Sequence, residues 1–209
     1  MTNGVPHFAS NRSDIDLDVI AKSKFVTGHF GITPISIMDN PSVFTILRDP
    51  VEQFMSYFRY TTGIKMPEER VREKLNRWLY EEDIQHNMQS KFLTGSINID
   101  KFNLMHREHN ASVENNWFIE NWSLDIQDIK NSLAGMNAYT MENREAFKND
   151  LNSKLQEELG FSTFTHNYKM NSNMNTEIEF TQSDINRIKE INSIDKEIYE
   201  YVKSIEKRY

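Results

Sequence analysis

The sequence predicts an α/β fold in one domain, with a mainly parallel sheet flanked by helices, and three observations carry the prediction. The run "SVFTILRDP" (residues 42–50) holds Val43, Phe44, Ile46 and Leu47 without polar alternation, as in a strand covered on both faces of a parallel sheet. It leads straight into a capped helical pattern, the strand–helix order of an α/β unit. The chain has 209 residues, 38% of them apolar, which suits one cored domain, and no repeat or Pro/Gly-rich linker divides it. The expected domain therefore covers residues 1–209, with 1–21 as an irregular polar N-terminal segment.

The elements follow in order. "KSKFVTGHF" (22–30) carries a short strand signal before Gly28, His29 and a further glycine, Gly31. After the 42–50 strand, Asp49 stands at N-cap, Pro50 at N1 and Glu52 at N3, the pattern of a reciprocal capping box. Val51, Phe54, Met55 and Phe58 then recur at i, i+3, i+4 and i+7, one buried stripe. A second helix is expected over 67–82, with Val71, Leu75, Trp78 and Leu79 inward, and "DIQHNMQSKFLTG" is expected to continue as helix to Gly95. The stretch 96–122 reads as irregular surface. A helix is expected over 123–133, a short strand at "MNAYTM", and a long helix in "ENREAFKNDLNSKLQEELGF" that buries Phe147, Leu151, Leu155 and Leu159 and stops at Gly160. "THNYKMNSNMNTEIEF" reads as loop. One helix or a pair covers 182–207, with Ile185, Ile188, Ile194, Ile198, Val202 and Ile205 on its apolar face.

Composition narrows the function classes. Net charge is −7, from 24 basic and 31 acidic side chains, which disfavours broad nucleic-acid binding but leaves room for a nucleotide held by a few local cations. The absence of cysteine removes disulfides, thiolate nucleophiles and zinc-thiolate sites. No apolar stretch is long enough to span a membrane, and the first residues lack the order of a signal peptide, so a cytoplasmic location is expected. No metal is expected: His106 and His109 lie three apart without a supporting carboxylate pattern.

The chemistry-bearing stretch is "FTILRDPVEQFMSYF" (44–58). Ligands of parallel sheets sit beyond the carboxyl ends of the strands, and Arg48 stands at that position. Its fork of donors suits two phosphate oxygens at once. Ser56, two helical turns further on, has a hydroxyl for the same group. The structural alternative pairs Arg48 with Asp49 or Glu52 and makes Ser56 a packing residue.

"VFTILRDPVEQFMSY" resembles the 3′-phosphate-binding motif of sulfotransferases that use 3′-phosphoadenosine 5′-phosphosulfate, in the carbohydrate-type family that contains heparan sulfate 2-O-sulfotransferase and microbial relatives. The family pattern is a strand followed by R-D-P-x-x-R-x-x-S-x-Y. Arg48, Asp49, Pro50 and Ser56 match it, while Gln53 replaces the second arginine and Phe58 the closing tyrosine. Three further segments match in order. "FVTGHFG" resembles the family's Gly-His-Phe segment, "NMQSKFLTG" its N-x-Q-x-[RK]-[FY]-L-[AS]-G segment, and "INSIDKEIYEYV" its N-x-x-D-x-x-[LI]-Y helix.

The resemblance implies a P-loop-like three-layer fold, a nucleotide sulfate donor as co-substrate and a carbohydrate or similar hydroxyl acceptor. It implies Arg48 and Ser56 as donor-binding residues and His29 as the catalytic base that takes the acceptor's proton. The family's P-K-x-G-[ST]-[ST] loop, which holds the 5′-phosphosulfate, has no match before His29. A chain lacking the first strand and its loop, or a relative diverged past needing them, is therefore expected. The alternative function is a catalytically degenerate or truncated relative that binds nucleotide or a partner. A nucleotide kinase is a weaker third reading, because no G-x-x-x-x-G-K-[ST] loop occurs. Gln89 and Lys91 are candidates to face the cleft, Trp78, Trp117 and Trp122 to stack on sugar or pack loops, and residues 169–173 to form a lid or an ordinary loop.

Overall fold

The computed structural model describes residues 17–23, 25–26, 31–62, 66–83, 85–101, 119–160 and 178–206. The expected strand before His29 lies mostly outside them, as do His29 itself, His106, His109, Trp117 and the 169–173 stretch. The protein is mixed α/β and mainly helical. Backbone contacts group the chain into two compact units, Met1–Val43 with Gln89–Asn137 and Phe44–Met88 with Ala138–Tyr209, so each is discontinuous in sequence.

The first unit contains α1 (Leu17–Lys22), α2 (Thr33–Ile37), most of α5 (Met88–Thr94), the short strands β2 (Ser96–Ile97) and β3 (Ile119–Glu120), and α6 (Ile126–Ala134). β2 and β3 pair antiparallel, Ser96 opposite Glu120 and Ile97 opposite Ile119. This pairing was not legible, since two residues are too few to show a period of two. Ile20, Ile97 and Ile119 form a small apolar cluster, against which Val26, Ile37 and Phe92 pack. α6 starts three residues later than expected, at Ile126, because Asp125 Oδ1 caps it by accepting from the amides of Gln127 and Asp128, at 2.8 and 3.1 Å. Its Ile129 and Leu133 are buried.

The second unit holds nearly all of β1 (Val43–Leu47) together with α3 (Pro50–Thr62), α4 (Glu68–Tyr80), most of β4 (Met136–Thr140), α7 (Arg144–Leu159), α8 (Gln182–Ile191) and α9 (Ser193–Ile205). Its main core joins Phe54 and Phe58 of α3 to Val71, Leu75, Trp78 and Leu79 of α4 and to Ile188 and Ile191 of α8, matching the periodicity that predicted these faces. Trp78, 1% exposed, is its centre. Phe54 and Phe58 meet it edge-on at 5.8 and 5.1 Å, and Tyr57 stacks on it at 5.7 Å.

β1 differs from the central, doubly covered strand its composition suggested. It pairs with β4 alone among the described residues, in a two-stranded parallel sheet, and only Leu47 is fully buried. Aromatic packing supplies part of its cover: Phe44 and Tyr139 both meet the ring of Phe147 edge-on, at 6.4 and 5.8 Å. The helix expected to run through 83–95 is also interrupted. Asn87 adopts φ 49°, a left-handed conformation that no helix interior tolerates, and α5 begins at the next residue. The terminal helical stretch divides at Asn192 into α8 and α9, and Ile205, expected inward, is 51% exposed at the last position of α9.

Candidate functional site

β1 and β4 run the same way, so both carboxyl ends lie at one edge of their sheet. Arg48 and Asp49 follow β1, and Thr140 and Glu142 end or follow β4. Asp49 Oδ1 accepts from the amides of Val51 and Glu52, at 3.0 and 3.3 Å, and so caps α3 as its sequence position predicted. The box is not reciprocal, because the Glu52 carboxylate turns to Arg48 Nε at 3.4 Å. Arg48 is 29% exposed and Glu52 67% in this i,i+4 pair. Glu52 and Ser56 stand four apart within α3 and so share a side of that helix, with Ser56 half-buried, while Arg48 precedes the helix and pairs with Glu52.

The two departures from the sulfotransferase-like motif have visible roles. Gln53, where the pattern has arginine, donates to Met88 Sδ at 3.3 Å. Phe58, where it has tyrosine, is fully buried between Trp78 and Phe180, with no room for a solvated hydroxyl.

α9 passes along the same sheet edge. Lys196 Nζ lies 3.5 Å from Asp49 Oδ2 and 2.7 Å from Glu200 Oε1. The hydrogen bond to Glu200 holds the lysine's pKa above its ordinary value; burial opposes this, and the charges of Glu200 and Asp49 add to it. Tyr199 donates its hydroxyl to Glu142 Oε1. Burial, and then that hydrogen bond and the carboxylate's charge, push the phenol well above the usual tyrosine range. Burial alone would raise the Glu142 carboxyl, but the bond from Tyr199, with smaller help from the backbone, Thr140 and Lys203, lowers it instead. Glu206, just past α9, accepts from the Thr140 amide at 2.8 Å and from its hydroxyl at 3.0 Å.

The segments matched to the sulfotransferase pattern meet within each unit. In the first, Gly31 of "FVTGHFG" approaches Gly95 of "NMQSKFLTG", and Ile32 N–H donates to Gly95 O at 2.9 Å. Gly31 has φ 59°, and a Cβ on it would lie 2.1 Å from Gly95 O; a Cβ on Gly95 would lie 2.4 Å from Ile119 Cγ2. In the second, Asn87 and Asn192 clasp each other's segments. Asn192 Oδ1 accepts from Asn87 N–H at 2.9 Å, while Asn87 Oδ1 accepts from the amides of Ile194 and Asp195 at 3.0 and 3.1 Å. Asn192, Asp195 and Tyr199, the three polar positions of the N-x-x-D-x-x-[LI]-Y match, are all buried.

Of the expected site residues, Arg48 lies between β1 and α3, Ser56 lies within α3, and His29 lies outside the described residues. Lys91 is buried, its Nζ 5.1 Å from the ring centre of the partly exposed Trp122. Lys196, Thr140 and Glu206 were not singled out from sequence. Lys196 stood inside a matched segment, but nothing local tells a lysine at a sheet edge from one on a wet helix face. Among the described residues no group of three His, Asp or Glu side chains is placed to hold a metal ion, and no helix is long and apolar enough to cross a membrane. Comparison with protein-family models, curated proteins and solved structures finds no match.

Proposed function

We propose that this chain is a sulfotransferase-like protein of P-loop-like three-layer architecture. It transfers a sulfuryl group from 3′-phosphoadenosine 5′-phosphosulfate to a hydroxyl of a carbohydrate or similar acceptor. The observation that supports this reading best is the position of Arg48, at the carboxyl end of a parallel strand, with its side chain partly exposed and paired with Glu52, which shares a side of α3 with Ser56. The Arg48–Glu52 pair is exposed and of the i,i+4 kind, worth about 0.3–0.5 kcal/mol. A phosphate dianion replaces it at small cost, and Glu52, two-thirds exposed, can turn to solvent. Arg48 and Ser56 thus suit one phosphate group, the 3′-phosphate in the motif they resemble. In this reading His29 takes the acceptor's proton as the acceptor oxygen bonds to sulfur, and the bond from sulfur to the 5′-phosphate oxygen breaks.

Calorimetry with adenosine 3′,5′-bisphosphate tests the pocket. Binding is expected in the unmodified protein, weakened about tenfold or more in Arg48→Ala through loss of a charge-assisted contact. No heat at millimolar nucleotide, or equal affinity in Arg48→Ala, overturns the assignment.

A second reading, a non-catalytic nucleotide-binding relative, is favoured by α9, whose Lys196 and Tyr199 engage residues just beyond β1 and β4 while Glu206 engages the end of β4. Arg48-dependent binding without sulfuryl transfer to any glycan hydroxyl would select it.

A further inference from the structure

The geometry points to Tyr60 of α3 as a stacking platform for the purine ring of the nucleotide, one helical turn beyond Ser56.

The solvent side of α3 carries Glu52, Ser56 and Tyr60 at intervals of four. Glu52 and Tyr60 are exposed and Ser56 is half-buried, so this line is the open side of the helix. From Ser56 to Tyr60 the helix rises about 6 Å, close to the span of a ribose between its 3′-phosphate and its base. A phosphate at Arg48 and Ser56 therefore leaves the base within reach of the Tyr60 ring.

Tyr60, 58% exposed, is the outer end of a run of three aromatic rings. It stacks with Tyr57 at 6.4 Å between centroids and 23° between planes, and Tyr57 stacks with the buried Trp78 at 5.7 Å and 26°. Tyr57, three residues earlier on the helix, thus braces the Tyr60 ring, and a braced ring loses less freedom when a base settles on it. The two other exposed aromatic side chains among the described residues, Tyr80 and Trp122, each have a cation over the ring, Arg187 at 5.3 Å and Lys91 at 5.1 Å. Stacking reads a base by its flat area, so it favours a purine over a pyrimidine. The base is uncharged, and the net charge of −7 does not oppose it as it would a further phosphate.

The platform rests on the nucleotide reading of the proposed function, and its test separates the two. Calorimetry on the full chain compares adenosine 3′,5′-bisphosphate, its uridine counterpart and the ribose bisphosphate that lacks a base. Tyr60→Ala is expected to weaken the adenosine compound about tenfold and the base-free compound not at all, since one stacked base contributes a factor of that order. Tyr60→Phe keeps the flat ring and the affinity. The unmodified protein should prefer adenosine to uridine, and Tyr60→Ala should narrow that preference. Arg48→Ala weakens all three compounds alike. Arg48-dependent binding that is unchanged in Tyr60→Ala overturns the platform alone. Equal losses of the adenosine and base-free compounds in Tyr60→Ala mark a general disturbance of α3 and overturn it too. Absence of binding by all three compounds to the unmodified protein overturns the platform together with the proposed function.

Discussion

Asn87 holds its backbone at φ 49° and turns its side-chain oxygen onto the first amides of α9. It therefore acts as an N-cap supplied from more than a hundred residues away, while ending one helical run and allowing α5 to start. Replacing it with alanine removes the cap and places a Cβ-bearing residue without a compensating polar group in the left-handed region. Asn87→Ala is expected to cost about 2 kcal/mol in urea unfolding, and Asn87→Gly, which relieves the backbone, less. A loss below half a kilocalorie for alanine, or a larger one for glycine, would remove Asn87 from this role. Gly95 makes a sharper case. Its Cβ would meet Ile119 and the Lys91 carbonyl, so Gly95→Ala must move β3 or α5 and should lower the melting temperature by several degrees. The sequence showed Gly95 as a helix stop but not the strand packed against it.

At the scale of elements, α4 and α8 are tied by an ion pair of unequal exposure. Arg72 Nη1 lies 2.8 Å from Asp184 Oδ2, and Asp184 also closes a capping box with Thr181 at the start of α8. Burial pushes the Asp184 carboxyl up, but the hydrogen bonds from Arg72 and Thr181 outweigh it and hold the pKa below the ordinary 3.8. A carboxyl depressed in the folded state stabilises the protein above its unfolded pKa, and that contribution is lost as pH falls through the folded value. Melting temperature should therefore drop below about pH 4, and Asp184→Asn should flatten the drop while lowering stability at neutral pH; parallel acid-side curves would contradict this. α3 and α4 were legible because their stripes repeat over three turns. β2, β3 and the break at Asn192 were not, because two residues carry no period and an asparagine inside a helical pattern does not announce its distant partner.

For the molecule as a whole, the net charge of −7 sets what it can approach. Repulsion from polyanions predicts that labelled duplex DNA at 0.15 M salt shows no anisotropy change up to about 100 μM protein, where even non-specific DNA binders are engaged. A saturable change would demand a basic face that the composition does not suggest. His29→Ala is expected to abolish sulfuryl transfer with nucleotide affinity retained within about threefold, since general-base loss alone is worth about 100-fold or more in rate; unchanged turnover would remove His29 from the chemistry. The acceptor side of the proposal rests on resemblance, whereas the donor side also has Arg48 just beyond the carboxyl end of β1.

By itself the sequence determined the helical faces around Phe58 and Trp78, the cap at Asp49, the strand at Val43–Leu47 and the stop at Gly160. Each is a local matter of periodicity, capping geometry or a left-handed backbone, written within a few neighbouring residues. Only the tertiary structure decided that Asn87 would serve α9, that Gly31 and Gly95 would touch, and that Glu206 would close over Thr140. Those contacts join residues roughly 64 to 108 positions apart, and a one-dimensional pattern holds no record of which distant polar group satisfies a donor once folding has shut it away from water.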